Sequence, residues 1–246
     1  MKEHVMLIRP PLFILGFFAS FAVLSYTKSF DLSILLAVGF GNAAMTVLNE
    51  IRDVDVDRIG KPHKPLPSGK VSVRYAWAVF STFLTISLIS VLLLPPNYKI
   101  IAVVGLLSAL VYNLGFKALF GNIFLGTSYF CAVYLSSHLK MLDFSLGFAL
   151  FTIAFNLAVQ LQDFDFDRKV GMKTFPVVYG KKVTYISSFC LAITSILLLT
   201  SLPLFTLPPL FVIISLITKR FEFFDRILAR VVLILAFMYM VVISYV

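Results

Sequence analysis

Two acidic clusters supply the side chains of this chain that are best suited to chemistry. The first has the sequence DVDVDR at residues 53–58, and the second repeats its pattern as DFDFDR at residues 163–168. Each cluster begins where a long apolar stretch ends. Carboxylates this close together repel one another unless a cation lies between them. The two clusters therefore predict paired cation-binding sites, and the function of the chain must explain both.

The spacing and the chemical type of the ligands narrow the choice of cation. Asn49, Asp53 and Asp57 are four residues apart, as are Asp163 and Asp167. On a helix, a step of four residues advances by roughly 40° beyond a full turn, so each set would lie along one helix face. Carboxylate and amide oxygens are ligands for Mg²⁺ or Ca²⁺ rather than for Zn²⁺. We therefore expect one of these two ions at each cluster.

Other interpretations of the clusters fit less well. An EF-hand calcium loop needs Gly at its sixth and Glu at its twelfth position, but counted from Asp53 these are Arg58 and Lys64. A nucleotide-binding P-loop around PSGKVS at residues 67–72 lacks its first Gly, because Lys64 stands there. A solvated helix end, or a strand of alternating polarity, would explain a single cluster. Two matched clusters at membrane depth favour a functional site.

Basic residues follow both clusters and indicate the class of substrate. Mg²⁺ usually binds through one or two carboxylates together with substrate phosphates. A metal ion between carboxylates, with Lys and Arg nearby, forms a site for a diphosphate. At the mouth of a membrane cavity such a site suits a molecule with a polar head and an apolar tail, such as a prenyl diphosphate. The basic residues are Arg58, Lys61, Lys64 and Lys70 after the first cluster, and Arg168, Lys169 and Lys173 after the second.

The elements that must position these clusters are membrane-spanning helices. Of the 246 residues, 60% are hydrophobic and 13% are charged, and the mean hydropathy is +0.97. A soluble domain carries about 25% charged residues, and a membrane helix needs about 20 mostly apolar residues in a row. The chain is therefore predicted to be an all-α integral membrane protein. The nine predicted segments are 5–26, 32–49, 75–94, 100–114, 119–137, 144–162, 183–202, 204–217 and 227–246.

The distribution of basic residues predicts the orientation in the membrane. With nine spans and a cytoplasmic N-terminus, the outside loops hold only Lys28, Lys99 and Lys140 of the 21 basic residues. Cytoplasmic loops carry an excess of Lys and Arg, so both acidic clusters are predicted to face the cytoplasm. This asymmetry accounts for the net charge of +9 without a nucleic-acid partner. Segment 204–217 is interrupted by two prolines, and without it the C-terminus would lie on the other side.

The combined motifs resemble those of the UbiA superfamily of intramembrane prenyltransferases, and the resemblance covers most of the chain. It implies a bundle of about nine helices around a central cavity that opens laterally to lipid, with a cap on the cytoplasmic side. Residues 1–246 would form a single transmembrane prenyltransferase domain. The matching stretches are N-x-x-x-D-x-x-x-D at 49–57, D-x-x-x-D at 163–167, KPHKPLPSG at 61–69, RP at 9–10, residues 112–117 with GN at 121–122, and GMKTFP at 171–176.

The same resemblance implies a cofactor and roles for individual residues. Two Mg²⁺ ions would be bound, one by Asn49, Asp53 and Asp57, and the other by Asp163 and Asp167. The four aspartates would be catalytic through these metals, together with a tyrosine near the reacting carbon, Tyr112. The candidates to contact the diphosphate are Arg9, Lys64, Lys117, Lys173 and Asn113.

The implied reaction is Mg²⁺-dependent transfer of a prenyl group, with geranylgeranyl as the best choice, from its diphosphate to a lipophilic acceptor. The first motif and the short loop are most similar to those of archaeal digeranylgeranylglyceryl phosphate synthases, which form an ether with a glycerol phosphate lipid. The second motif, from Gln162 to Gly171, is more similar to members that prenylate hydroxybenzoate or a quinone precursor. We expect geranylgeranylglyceryl phosphate as the acceptor, and the aromatic acceptor is the alternative.

An alternative of a different class is a cation transporter, which predicts acidic residues near the centres of several membrane helices. Asp55 and Asp165 lie on a different helix face from the predicted metal ligands. We expect them to be solvated, or to contact those ligands without binding the metal.

The expected protein is a multi-pass enzyme of the cell membrane. Its expected partners are the prenyl diphosphate, the acceptor and membrane lipids, with no nucleic acid and no obligatory protein partner.

Overall fold

The computed structural model describes residues 2–7, 10–115, 119–219 and 229–245, and in these ranges the regular secondary structure is entirely helical. The longer helices are α2 (Pro10–Tyr26), α3 (Leu32–Arg52), α5 (Val73–Leu92), α6 (Pro96–Asn113), α7 (Leu119–Ser136), α8 (Leu142–Gln162), α11 (Lys181–Leu198), α12 (Leu207–Thr218) and α13 (Ala229–Ser244). The shorter ones are α1 (Lys2–Leu7), α4 (Val54–Gly60), α9 (Phe164–Lys169), α10 (Phe175–Tyr179) and a 3₁₀ helix, Pro203–Thr206.

Four of the described helices, α3, α5, α8 and α11, are long and apolar enough to cross a membrane. Shorter apolar helical stretches are Gly16–Tyr26, Pro203–Thr218 and Ile234–Ser244. The predicted first segment, 5–26, corresponds to α1 and α2 on either side of two residues outside the described ranges. The all-α prediction is confirmed, and the apolar helices support insertion in a membrane.

Prolines set the start of several helices and move two predicted boundaries. Pro96 lies in the first turn of α6, so this helix begins before the predicted residue 100. The predicted segment 204–217 is divided into the 3₁₀ helix Pro203–Thr206 and α12, whose first turn holds two prolines. The first N–H groups of a helix have no intrahelical acceptor, so proline sacrifices no hydrogen bond there.

The same helical bend occurs at both acidic clusters. Helix α3 meets α4 at Asp53, and α8 meets α9 at Asp163, with φ and ψ of −87° and 1° at the first and −85° and 2° at the second. The N–H of Asp53 donates to the carbonyl of Asn49 at 2.9 Å, and that of Asp163 donates to Val159 at 3.1 Å. Both clusters are therefore helical, which rules out the strand interpretation. The backbone has the same conformation at the two bends.

Each acidic bend lies at the tip of a helical hairpin. After the first bend, α5 returns along α3, and the buried hydroxyl of Ser87 donates to the Ala37 carbonyl at 2.8 Å. After the second bend, α11 returns along α8, and Ser188 donates to the Ala154 carbonyl at 2.8 Å. Hydroxyls inside apolar helix pairs need such partners, because there is no water to replace them. Each bond joins the two helices of its hairpin.

Aromatic rings join the second hairpin to the C-terminal helix. The ring of Phe205 lies edge-on between Phe144 of α8 and Phe237 of α13, with centroid distances of 4.9 and 5.0 Å. Phe148 also meets Phe237, at 6.0 Å. Edge-to-face contacts of this kind contribute about 0.5–1.5 kcal/mol each beyond the area that they bury. They hold one wall of the cavity described below.

Candidate active site at the two acidic bends

Gly60 and Phe166 bring the two acidic clusters into contact. A Cβ atom on Gly60 in α4 would lie 2.4 Å from Cζ and 2.7 Å from Cε2 of the Phe166 ring in α9. Real Cβ atoms do not approach other atoms so closely, so the ring rests directly on the glycine backbone. Gly60 follows Asp57 by three residues and Phe166 immediately precedes Asp167. The contact therefore holds the two predicted clusters side by side.

Each cluster directs alternate carboxylates inward and outward. Asp57 and Asp167 are buried, with 5% and 6% of their surface exposed. Asp55 and Asp165 are solvated, with 82% and 87% of their side-chain surface exposed, and each forms a surface ion pair. Residues two positions apart on a helix lie on nearly opposite faces, which explains the alternation. The inward carboxylates are therefore the candidates to bind a metal ion. Variants of the outward carboxylates can serve as controls for variants of the inward ones.

A lysine already lies at the first cluster. The Nζ of Lys64 is 2.5 Å from Oδ2 of Asp57 and 3.3 Å from Oε1 of Glu50. The loop after α4 thus folds back over the bend and brings a predicted diphosphate contact to a predicted metal ligand. Glu50 was missed by the sequence analysis. Its signal was available, because a carboxylate beside Asn49 near the end of an apolar helix is costly unless it has a partner.

An apolar cavity of about 410 Å³ reaches Asn49, one helical turn before the first bend. Asn49 and Tyr112 line one end, where α3 and α6 meet through a 3.3 Å hydrogen bond from Arg52 Nη2 to the Leu114 carbonyl. Ala37 lines the cavity twelve residues before Asn49, so the cavity follows α3 for about 18 Å at 1.5 Å per residue. Its volume is in the range of small-molecule sites, about 300–1,000 Å³. Aromatic lining residues are Tyr129, Phe148, Phe151, Phe155 and Phe237.

A chain of amide side chains joins the cavity wall to α10, the helix that follows the second cluster and its loop. The Tyr112 hydroxyl donates to Asn156 Oδ1 at 3.3 Å, and Asn156 Nδ2 donates to Asn122 Oδ1 at 2.7 Å. Gln160 Nε2 donates to the same Asn122 oxygen at 3.4 Å, while Gln160 Oε1 accepts from the Phe175 N–H at 3.0 Å. This chain orients Tyr112 and docks the loop that follows the second bend. The sequence analysis did not assign these amides a role.

The remaining predicted residues differ in their placement. Asp53 and Asp163 are half-buried at the two bends. Asn113 is buried and lines the cavity, and its Nδ2 donates to the Ala109 carbonyl at 2.8 Å. Lys173 is exposed on the loop after the second bend. Two further predicted diphosphate contacts, Arg9 and Lys117, lie outside the described residues.

The donor atoms at the bends suit Mg²⁺, because they are oxygens of carboxylates and of an amide. Among the described residues, no three His, Cys, Asp or Glu side chains gather closely enough to hold a metal ion by themselves. Mg²⁺ sites commonly use one or two carboxylates and are completed by water and substrate phosphates. In the described long helices the carboxylates lie in the first or last turn. This disfavours the cation-transporter alternative, which expects them near helix centres.

The family of the chain follows from comparison with known proteins. The model of the UbiA prenyltransferase family matches residues 11–230. The chain belongs to this family, and it is a membrane prenyltransferase.

Relatives within this family carry a more specific name. The chain is 31% identical over 212 residues to the digeranylgeranylglyceryl phosphate synthase of Methanobrevibacter smithii, covering 78% of this chain and 75% of the relative. It is 26% identical over 213 residues to the enzyme of the same name from Methanosphaera stadtmanae, covering 80% and 76%.

Solved structures share the fold. A UbiA homolog from Archaeoglobus fulgidus bound to GPP and Mg²⁺ superposes with a TM-score of 0.69 at 18% identity, over 98% of this chain and 99% of that one. An apo UbiA homolog from Aeropyrum pernix K1 gives a TM-score of 0.74 at 20% identity, over 97% and 99%. At these identities the likeness concerns the fold alone.

Proposed function

We propose that the chain transfers a geranylgeranyl group from geranylgeranyl diphosphate to geranylgeranylglyceryl phosphate, and that the product is an ether. The observation that carries the proposal is the contact of two acidic bends, the first of which begins one helical turn after Asn49 in the lining of an apolar cavity about 18 Å long. This arrangement suits a molecule with a diphosphate head and a long hydrocarbon tail. The relatives named digeranylgeranylglyceryl phosphate synthase support the choice of acceptor.

We further propose two Mg²⁺ ions, one held by Asn49, Asp53 and Asp57 and the other by Asp163 and Asp167. A related structure bound to GPP and Mg²⁺ supports the use of this metal. When bound, Mg²⁺ neutralises the negative charge that develops on a departing diphosphate. The proposed diphosphate contacts are Lys64, already at the first bend, with Arg9, Lys117, Lys173 and Asn113.

The proposed reaction begins with departure of the diphosphate and ends with attack by the acceptor. The bond between C1 of the prenyl group and the diphosphate oxygen breaks, and the electron pair leaves with the diphosphate. The acceptor hydroxyl oxygen then forms a bond to C1, and its proton passes to the released diphosphate. The apolar walls exclude water from the allylic cation. Tyr112, with Tyr129 and Phe155 in the same lining, can stabilise this cation through the faces of the rings.

The proposed architecture is a single domain over residues 1–246, with nine helices in the membrane around the cavity. We propose that α4, α9, α10 and their loops form a cap on the cytoplasmic side, with the N-terminus inside. The excess of Lys and Arg on that side supports this orientation. Membrane lipids would surround the bundle, and the function as proposed requires no protein partner and no nucleic acid.

A transfer assay with two acceptors tests this proposal. Purified protein receives labelled geranylgeranyl diphosphate, Mg²⁺ and either geranylgeranylglyceryl phosphate or 4-hydroxybenzoate. We expect labelled ether with the glycerol lipid, and no product from Asp53→Asn, while Asp55→Asn keeps wild-type activity. Product with the aromatic acid alone would replace the proposed acceptor by the aromatic alternative. No Mg²⁺-dependent product with either acceptor would contradict the proposed reaction.

A further inference from the structure

Glu50 is a buried carboxylate outside the set of predicted metal ligands. It lies in the last turn of α3 and is 4% exposed. Its Oε1 is 3.3 Å from the Nζ of Lys64, and the same ammonium is 2.5 Å from Asp57 Oδ2. The side chains of Glu50, Asp57 and Lys64 are only 5%, 8% and 18% exposed. Three charges therefore share one site that is nearly closed to water.

A buried carboxylate is costly unless a cation partners it, and the Lys64 ammonium lies within reach of both carboxylates. A metal ion at Asp57, however, would compete with the Lys64 ammonium for the same carboxylate. Glu50, which follows Asn49 directly in the chain, is a second partner for this ammonium.

We infer that Glu50 is a positioning residue that holds the Lys64 ammonium, so that Asp57 can give its carboxylate to a metal ion. This inference rests on the proposed function. Lys64 neutralises Asp57 before the metal binds, and Glu50 keeps the ammonium at the site afterwards, where it faces the incoming diphosphate. Without Glu50, Lys64 would pair with Asp57 alone and oppose metal binding.

A double-mutant cycle on Glu50 and Lys64, with metal binding as the readout, tests this role without measuring catalysis. Mn²⁺, which also prefers oxygen ligands, is titrated into the purified protein with inorganic pyrophosphate, and free Mn²⁺ is followed by electron paramagnetic resonance. We expect Glu50→Gln to weaken Mn²⁺ binding by about 10- to 100-fold, as for residues that support metal ligands. In a Lys64→Met background, the same change should alter the affinity by no more than about twofold. Glu50→Asp, which keeps the charge, should recover part of the loss.

A second Lys–Glu ion pair, with the same N–O distance as the pair of Lys64 and Glu50, provides a control. Lys70 and Glu3 form an ion pair of 3.3 Å whose side chains are 54% and 32% exposed, and Glu3→Gln should leave Mn²⁺ binding unchanged. An equal loss from Glu50→Gln in both Lys64 backgrounds would overturn the inference, since Glu50 would then act through its charge alone. Wild-type affinity in Glu50→Gln would also overturn it. A wild-type protein that binds neither Mn²⁺ nor pyrophosphate would instead contradict the proposed function.

Discussion

Replacing Gly60 with alanine tests whether the contact between the two acidic helices sets the active geometry. The new Cβ would lie 2.4 Å from Cζ of Phe166, whereas carbon atoms in contact stay about 3.5–4.0 Å apart. The ring or the helices must therefore move by roughly 1 Å or more. A displacement of about 1 Å can slow a reaction about 100-fold when it separates the groups that position the substrate. We expect a loss of prenyl transfer of this size.

The fold should tolerate the same change. Overpacking costs about 1–3 kcal/mol, but alanine is favoured over glycine within a helix by about 1 kcal/mol. The expected net loss is therefore at most about 2 kcal/mol. Measuring kcat with the labelled transfer assay, beside Tm of the same preparation, separates a displaced site from an unfolded protein.

Two further variants complete this test. Ile59→Ala removes a side chain that is 66% exposed from the same helix, and it should leave kcat unchanged. Phe166→Leu in the Gly60→Ala background shortens the overlapping side chain and should recover part of the activity. A folded Gly60→Ala protein with wild-type kcat would refute the reasoning, because the contact would then not determine how the two clusters are placed.

Three other changes have defined outcomes. Asp57→Asn should lower prenyl transfer by at least about 100-fold, the loss seen when one strong electrostatic group is removed, whereas Asp55→Asn should stay within about twofold because its surface pair is weak. Ser188→Ala should lower the free energy of unfolding by about 1 kcal/mol through the lost bond to α8, checked by thermal unfolding in detergent with unchanged kcat. Asn156→Leu leaves the hydroxyl of Tyr112 without this partner, and about tenfold lower kcat with unchanged KM for the diphosphate is expected.

The sequence predicted the helices well, because apolar runs in a membrane protein leave few alternatives. The predicted segment 144–162 matches α8 (Leu142–Gln162), and 119–137 matches α7 (Leu119–Ser136). Boundaries at prolines were less accurate, since the first helical turn accepts proline and the pattern could not show on which side of Pro96 the helix begins.

Part of the candidate site could also be predicted from the residues. Spacing by four places Asp53 and Asp57 on one face and leaves Asp55 in solvent, as the structure has it. The contact between Lys64 and Glu50 depends on the path of a loop, which residue spacing does not predict. The contact of Gly60 with the opposite helix is a tertiary contact, and a single sequence carries no signal for it.

The central claim is that both acidic bends act together on one prenyl diphosphate. The most direct test follows labelled geranylgeranyl diphosphate and geranylgeranylglyceryl phosphate with Mg²⁺, and it counts both the prenylated product and the pyrophosphate released. The account predicts equal amounts of the two, which are lost with EDTA, with Asp53→Asn and with Asp163→Asn, and kept with Asp165→Asn. Full activity in either Asp53→Asn or Asp163→Asn would contradict the account, because one bend would then suffice.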